Sequence, residues 1–391
     1  MLSLFFILKI LAGIAYGLFY KQPQYFETAD TWRFYVLSLN ETDWLLHDPF
    51  KFFKDIFTYG YSHSGNVFSG TNSYWNDLKS NLVVKLLALC NVLTNKSYYT
   101  NVILFNFLFF FGLVALLRVA LQEFRIKKWM LAGVIFLIPA TLFWCSGIHK
   151  DGLILSATGL VIFWFYQLLK TTNLKFWWLT GIILCITLVF LLRSYVALAL
   201  LPALFGWWMC LRFQKYSLRI FTSVYFVGIT LFFLLPLLSS SLNFPSFLAT
   251  KQHEFLLLSG GSGLPVKPLD PDLVSFMRYL PTALDIGFLR PHISEAKNPA
   301  SLLALLELWM IGLLFILALF FPLKNQHRNP FTLFLLFFGM SLLLIAGYTV
   351  TFTGALVRYR SFALPFIVLP IITCINFQAI KLPVQLFASK R

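Results

Sequence analysis

Residues 99–118 read YTNVILFNFLFFFGLVALLR, a run with no charge until its final arginine. A helix of about twenty residues spans about 30 Å, the thickness of the hydrocarbon layer, and satisfies its backbone hydrogen bonds internally. Comparable apolar runs lie at 1–20, 129–147, 152–169, 176–192, 194–211, 219–238, 302–321, 331–352 and 361–378. The expected fold is an all-α polytopic membrane protein of about ten transmembrane helices, within a range of about 8–12. Residues 82–93 (LVVKLLALCNVL) are short for a crossing, so spanning, re-entrant and interfacial placements all stay open.

Composition agrees with that reading. The 391 residues are 59% hydrophobic and only 12% charged, with mean hydropathy +0.78, which excludes a water-soluble fold. The net charge of +16 would suit nucleic acid only if Lys and Arg were clustered on a soluble face. They are instead scattered between apolar runs, so no nucleic-acid partner is expected, and membrane lipids are. Cys90, Cys145, Cys185, Cys210 and Cys374 form no CxxC pair and sit mostly inside apolar runs, which argues against a disulfide framework or a zinc knuckle. The first twenty residues lack a basic start and a small-x-small cleavage site, and read as a retained span.

When ten helices alternate, Arg118, Arg125, Lys127, Lys128, Lys170, Lys175, Arg212, Lys215 and Arg219 fall on one side with Lys324, Arg328 and the basic C-terminus. Glu123 is the single acid accompanying them. That side is expected to be cytoplasmic, with both termini on it. Residues 1–391 then form a single membrane domain with two large outer-side loops, 21–98 with short helices and 239–301. Both are rich in aromatics, Gly and Pro and read as folded caps. No internal repeat is visible, which weakens an inverted-repeat transporter. High Phe, Lys and Asn usage suits an AT-rich bacterial genome, so the expected location is the bacterial inner (cytoplasmic) membrane, with the active site on its outer side.

Ionisable groups at a membrane boundary are costly unless paired or functional. Five groups stand on the outer side. Phe26–Tyr35 (FETADTWRFY) offers Glu27, Asp30 and Arg33; Asp30, beside Trp32 and Tyr35, is the candidate base with a raised proton affinity. An N-cap or an Arg33 salt bridge is the competing structural role. The tight turn Trp144–Gly152 (WCSGIHKDG) carries His149, Lys150 and Asp151, of which the first two suit a phosphate. Arg193 stands between two apolar helices and needs either a carboxylate such as Asp151 or a lipid phosphate. The second loop supplies Lys251, His253, Glu254, Arg278, Asp285, Arg290 and His292, and its LSGGSG stretch reads as a lid or a plain turn. Arg358 and Arg360, in GALVRYRSFALP, are spaced to hold phosphate oxygens or to snorkel.

No HExxH, GxSxG or DxD motif appears, so a zinc hydrolase or serine esterase has no support. No cofactor is required by the pattern. Asp30, His149 and Asp151 are the residues that would hold a divalent cation, and the metal is otherwise unspecified.

The aspartate soon after the first helix, the large first loop and the Arg358-Tyr359-Arg360 triplet before the last span resemble the GT-C superfamily of integral-membrane glycosyltransferases. That group includes protein mannosyltransferases and aminoarabinose transferases. SGIHKDG also resembles a Gly-x-x-Lys-acidic turn of bacterial members. The resemblance covers the topology of most of the chain and about thirty residues specifically. It departs from the family at Thr31, where a second acidic residue is frequent.

What the resemblance implies is sugar transfer from a polyprenyl-phosphate-linked donor to a glycan, lipid or protein acceptor, in cell-envelope glycan assembly. Asp30 would be catalytic, with His149, Lys150, Arg193, Arg358 and Arg360 around the donor phosphate. Glu27, Arg33, Asp151, His253, Arg278 and Arg290 would bind substrate or acceptor. The competing functions are an O-antigen or exopolysaccharide polymerase or ligase, and then a lipid-linked oligosaccharide transporter or flippase.

Overall fold

The computed structural model describes residues 1–26, 29–58, 74–171, 175–258, 262–323 and 329–380. Among them the ordered elements are helices, with two isolated β-bridges, Gly263 to Phe352 and Pro322 to Ile375. Seven helices are long and apolar enough to cross a membrane: Leu2–Tyr20, Tyr98–Glu123, Lys150–Lys170, Ser194–Arg212, the Gln214–Leu238 stretch, Pro299–Phe320 and Pro330–Thr349. An eighth is counted if Thr353–Ser361 and Leu364–Thr373, bent by 61°, form one span. This is the helix content of a multi-pass membrane protein.

The remaining apolar runs are helical but interrupted or short. The 129–147 run divides into Lys128–Leu137 and Pro139–Trp144 because Pro139 has no N–H and forces Ile138 out of the helical region, to φ −58°, ψ 119°. Glu307 takes up part of that break, accepting the Ala140 N–H at 2.8 Å. The Phe176–Leu192 helix has 17 residues.

Packing between spans relies on small residues, since apolar lipid gives helices no reason to associate beyond close fit. Gly112 of Tyr98–Glu123 faces Ser156 and Gly159 of Lys150–Lys170. A Cβ on Gly112 would stand 2.1 Å from the Ser156 carbonyl oxygen. Gly112→Leu is therefore expected to lower stability by about 1–3 kcal/mol or more, read as a reduced thermal midpoint in detergent. An unchanged midpoint would mean that the two backbones do not approach so closely.

The first loop folds onto the bundle. Residues 82–93 belong to a longer helix, Tyr74–Thr94, that packs along Asp30–His47. Its Lys85 is buried with Glu41 at 2.5 Å, Asp55 at 3.0 Å and the Phe52 ring at 4.3 Å. Asn91 donates to Ser38 and Thr42 across the same interface. These polar groups account for why this segment stands outside the long apolar helices. In the second loop, Phe244–Leu256 and Leu273–Leu284 pack on Pro330–Thr349, where Tyr348 donates to the Phe276 carbonyl at 2.9 Å.

Candidate active site

The first helix, the turn at 145–149 and the Asp30–His47 helix meet at one end of the bundle. Lys9, buried inside the first span, donates to the Cys145 carbonyl at 2.5 Å and to Ser146 Oγ at 3.0 Å. Asn106 donates to the Ser146 carbonyl at 2.7 Å. A buried ammonium needs such acceptors, and a turn closed between two spans has carbonyls to offer. Trp32 in turn donates to the Gly17 carbonyl at 3.1 Å and stacks on Tyr98 at 4.0 Å, while Thr31 bonds the Tyr98 hydroxyl at 2.7 Å. These contacts fix Asp30, the first residue of its helix, opposite the turn.

Five of the residues singled out from sequence converge there. His149 Nε2 lies 3.0 Å from Asp30 Oδ2, and His149 Nδ1 lies 3.0 Å from Asp151 Oδ2. Arg358 reaches Asp30 Oδ2 at 3.0 Å and Asp151 Oδ2 at 3.1 Å, and also contacts His149 Nε2. Arg193 pairs with Asp151 Oδ1 at 2.5 Å, donates to the Tyr195 hydroxyl at 2.8 Å and lies 4.4 Å over the Tyr359 ring. His149 and Asp151 side chains are fully enclosed, whereas that of Asp30 is 38% exposed. The buried pair thus braces a half-open carboxylate.

The electrostatics of Asp30 differ from the sequence expectation of a raised proton affinity. Burial pushes its carboxyl upward, but the His149 hydrogen bond and the charges of His149 and Arg358 outweigh it and hold the group well below the usual carboxylate range. Aromatic neighbours suggested desolvation; the hydrogen-bond and charge partners brought in from residues 149 and 358 were invisible locally.

Beside this network lies a cavity of about 550 Å³. Asp30, Lys150, Arg193 and Arg358 line it, together with Lys79, Lys251, Glu254, Tyr195 and Tyr359. Apolar side chains, among them Leu192, Phe247, Leu248, Leu257, Leu258 and Ile345, make up most of the rest of its lining, with Ser194 and Thr349. Lys79 is the residue that sequence reading missed, because it enters from the first loop only through the packing of Tyr74–Thr94. Lys251, noted in the second loop, pairs with Glu254 at 2.6 Å.

Other candidates stand elsewhere. Arg360 is 1% exposed and donates to the Arg290 carbonyl at 2.6 Å, away from the cavity. Arg290 pairs with Asp285 at 2.8 Å and Glu295 at 2.7 Å, and His292 joins Asp285 at 2.9 Å. Arg33 is exposed in a separate shallow groove of about 230 Å³ with Phe26, Trp32, Val36 and Leu37. His253 and Arg278 are exposed and outside the cavity lining. Glu27, the glycines at 260 and 261 and the basic residues at 324, 328, 381, 390 and 391 lie outside the described residues. Among the described residues no group of three or more His, Cys, Asp or Glu side chains is arranged to hold a metal ion.

The site thus combines an ion-paired carboxylate, a ring of cations and an apolar wall in one cavity, which suits an amphiphile with an anionic head. The sequence matches no protein-family model, no curated protein and no solved structure.

Proposed function

We propose that the protein is a membrane glycosyltransferase of the GT-C type that transfers a sugar from a polyprenyl-phosphate-linked donor to an acceptor on the outer side of the membrane. The single observation that carries the reading is the amphipathic cavity with Asp30 in its wall. A phosphate head is neutralised by Lys150, Arg193 and Arg358, and the prenyl chain runs over Phe247, Leu248, Leu257 and Leu258.

In this reading an acceptor hydroxyl attacks the anomeric carbon as the bond from that carbon to the phosphate oxygen breaks. The leaving electron pair goes to the phosphate, and the hydroxyl proton goes to Asp30. The cations stabilise the charge that grows on the departing phosphate. Asp30 is a weak base while His149 and then Arg358 hold it; a donor phosphate competes for Arg358, and the carboxylate becomes more basic as that second pairing weakens. His149 and Asp151 act as positioning residues behind it. Cytoplasmic termini and a bacterial inner-membrane location belong to the same proposal.

The test supplies membranes containing the protein, and matched membranes lacking it, with a set of radiolabelled polyprenyl-linked sugars. Label moving into an acceptor only where the protein is present is the expected result. Equal transfer in both membranes across the donor set would reject the reading.

A further inference from the structure

The charges around the cavity do not cancel. Lys79, Lys150, Arg193, Lys251 and Arg358 line it, and the carboxylates that meet them among the described residues are Asp30, Glu254 and, behind the wall, Asp151. The two arginines are taken up by Asp30 and Asp151, and Lys251 is taken up by Glu254. Lys79 and Lys150 are left: among the described residues neither forms an ion pair at contact distance, and Glu254 and Asp30 act on them only from further away.

These two ammonium groups enter from different parts of the chain. Lys150 begins the span Lys150–Lys170 beside Asp30, its ammonium 5.7 Å from the Phe34 ring centre. Lys79 comes from the first-loop helix and shares its surroundings with Lys251 and Glu254 of the second loop and with Arg193. Burial first, and then the charges of Lys251 and Arg193, lower the Lys79 pKa to about 8 against the opposing pull of Glu254. A cation destabilised in this way gains from an anion placed beside it.

We infer that the cavity takes a diphosphate-linked donor in preference to a monophosphate-linked one, with Lys79 the residue that reads the second phosphate. The inference rests on the donor reading above and narrows it. A sugar joined to a prenyl chain through one phosphate is a diester with one negative charge, whereas a diphosphate bridge carries two. Two ammonium groups outside any ion pair, entering the cavity from different parts of the chain, match the second ligand in charge. One phosphate sits by Lys150 and Arg358 near Asp30, and the other by Lys79 at the junction of the two loops.

The test measures binding to the full-length protein in nanodiscs of two probes, a short prenyl phosphoglucose and the matching prenyl diphosphoglucose. The expected result is binding of both, with the diphosphate tighter by about tenfold or more, as one further charge-assisted contact gives. Lys79→Gln removes that preference and leaves the monophosphate affinity within about twofold, and Lys79→Arg restores the preference. Equal affinity for the two probes, or an equal loss for both in Lys79→Gln, overturns the inference while leaving the donor reading in place. Binding of neither probe overturns both.

Discussion

Asp30→Asn is expected to retain less than about 1% of wild-type transfer, because a positioned general base contributes about 10²–10⁴ in rate. The substitution keeps the shape of the side chain and its hydrogen bond to His149, and Arg358 keeps Asp151 as a partner. The variant should therefore fold, and the loss should appear in turnover rather than in donor affinity. Transfer by equal amounts of wild-type and variant protein in membranes measures it. A variant within about fivefold of wild type would remove Asp30 from the chemistry and favour a polymerase or ligase that works through its cations alone.

Asp151→Asn acts on stability instead. Its carboxylate is fully enclosed and carries Arg193, Arg358 and His149 at once. Neutralising it leaves Arg193 with the Tyr195 hydroxyl and the Tyr359 ring as its company, and a buried ion pair broken from one side costs about 3–5 kcal/mol. The expected outcome is a large drop in thermal midpoint and poor recovery of monodisperse protein. Lys150→Gln, a change beside the same carboxylates that leaves all of their pairs intact, should keep the wild-type midpoint. If Asp151→Asn unfolds at the wild-type temperature, the network contributes nothing to holding the helices together.

The helices were legible because each apolar run announces itself without help from the rest of the chain. Their interruptions were less so. Pro139 sits inside an apolar run, and its effect depends on Glu307 coming from a distant helix to satisfy the freed N–H at Ala140. The alternation of ten expected helices put Asp30, His149, Lys150, Asp151, Arg193 and Arg358 on one side, and the structure brings them together around one network and its cavity. Arg360 illustrates a local rule misapplied. Residues 358 and 360 look adjacent in sequence, but both lie in the helix Thr353–Ser361, where a spacing of two is a rotation of about 200°. Arg358 turns into the cavity and Arg360 turns into the packing against Arg290. Lys79 had no such rule to reveal it, because its place depends on how the first loop docks.

Lys9 and Asn106 hold the turn at 145–149 chiefly by its carbonyl oxygens, with Ser146 as the only side chain they grip. A mounting that grips main chain is indifferent to what the neighbouring side chains are. Position 150 can therefore exchange its chemistry without dislodging the turn, much as a tool changes in a fixed chuck, whereas His149 is itself tied to Asp30, Asp151 and Arg358. A redesigned amide or amine placed at 150 would inherit the same position beside Asp30 from two residues outside the cavity lining.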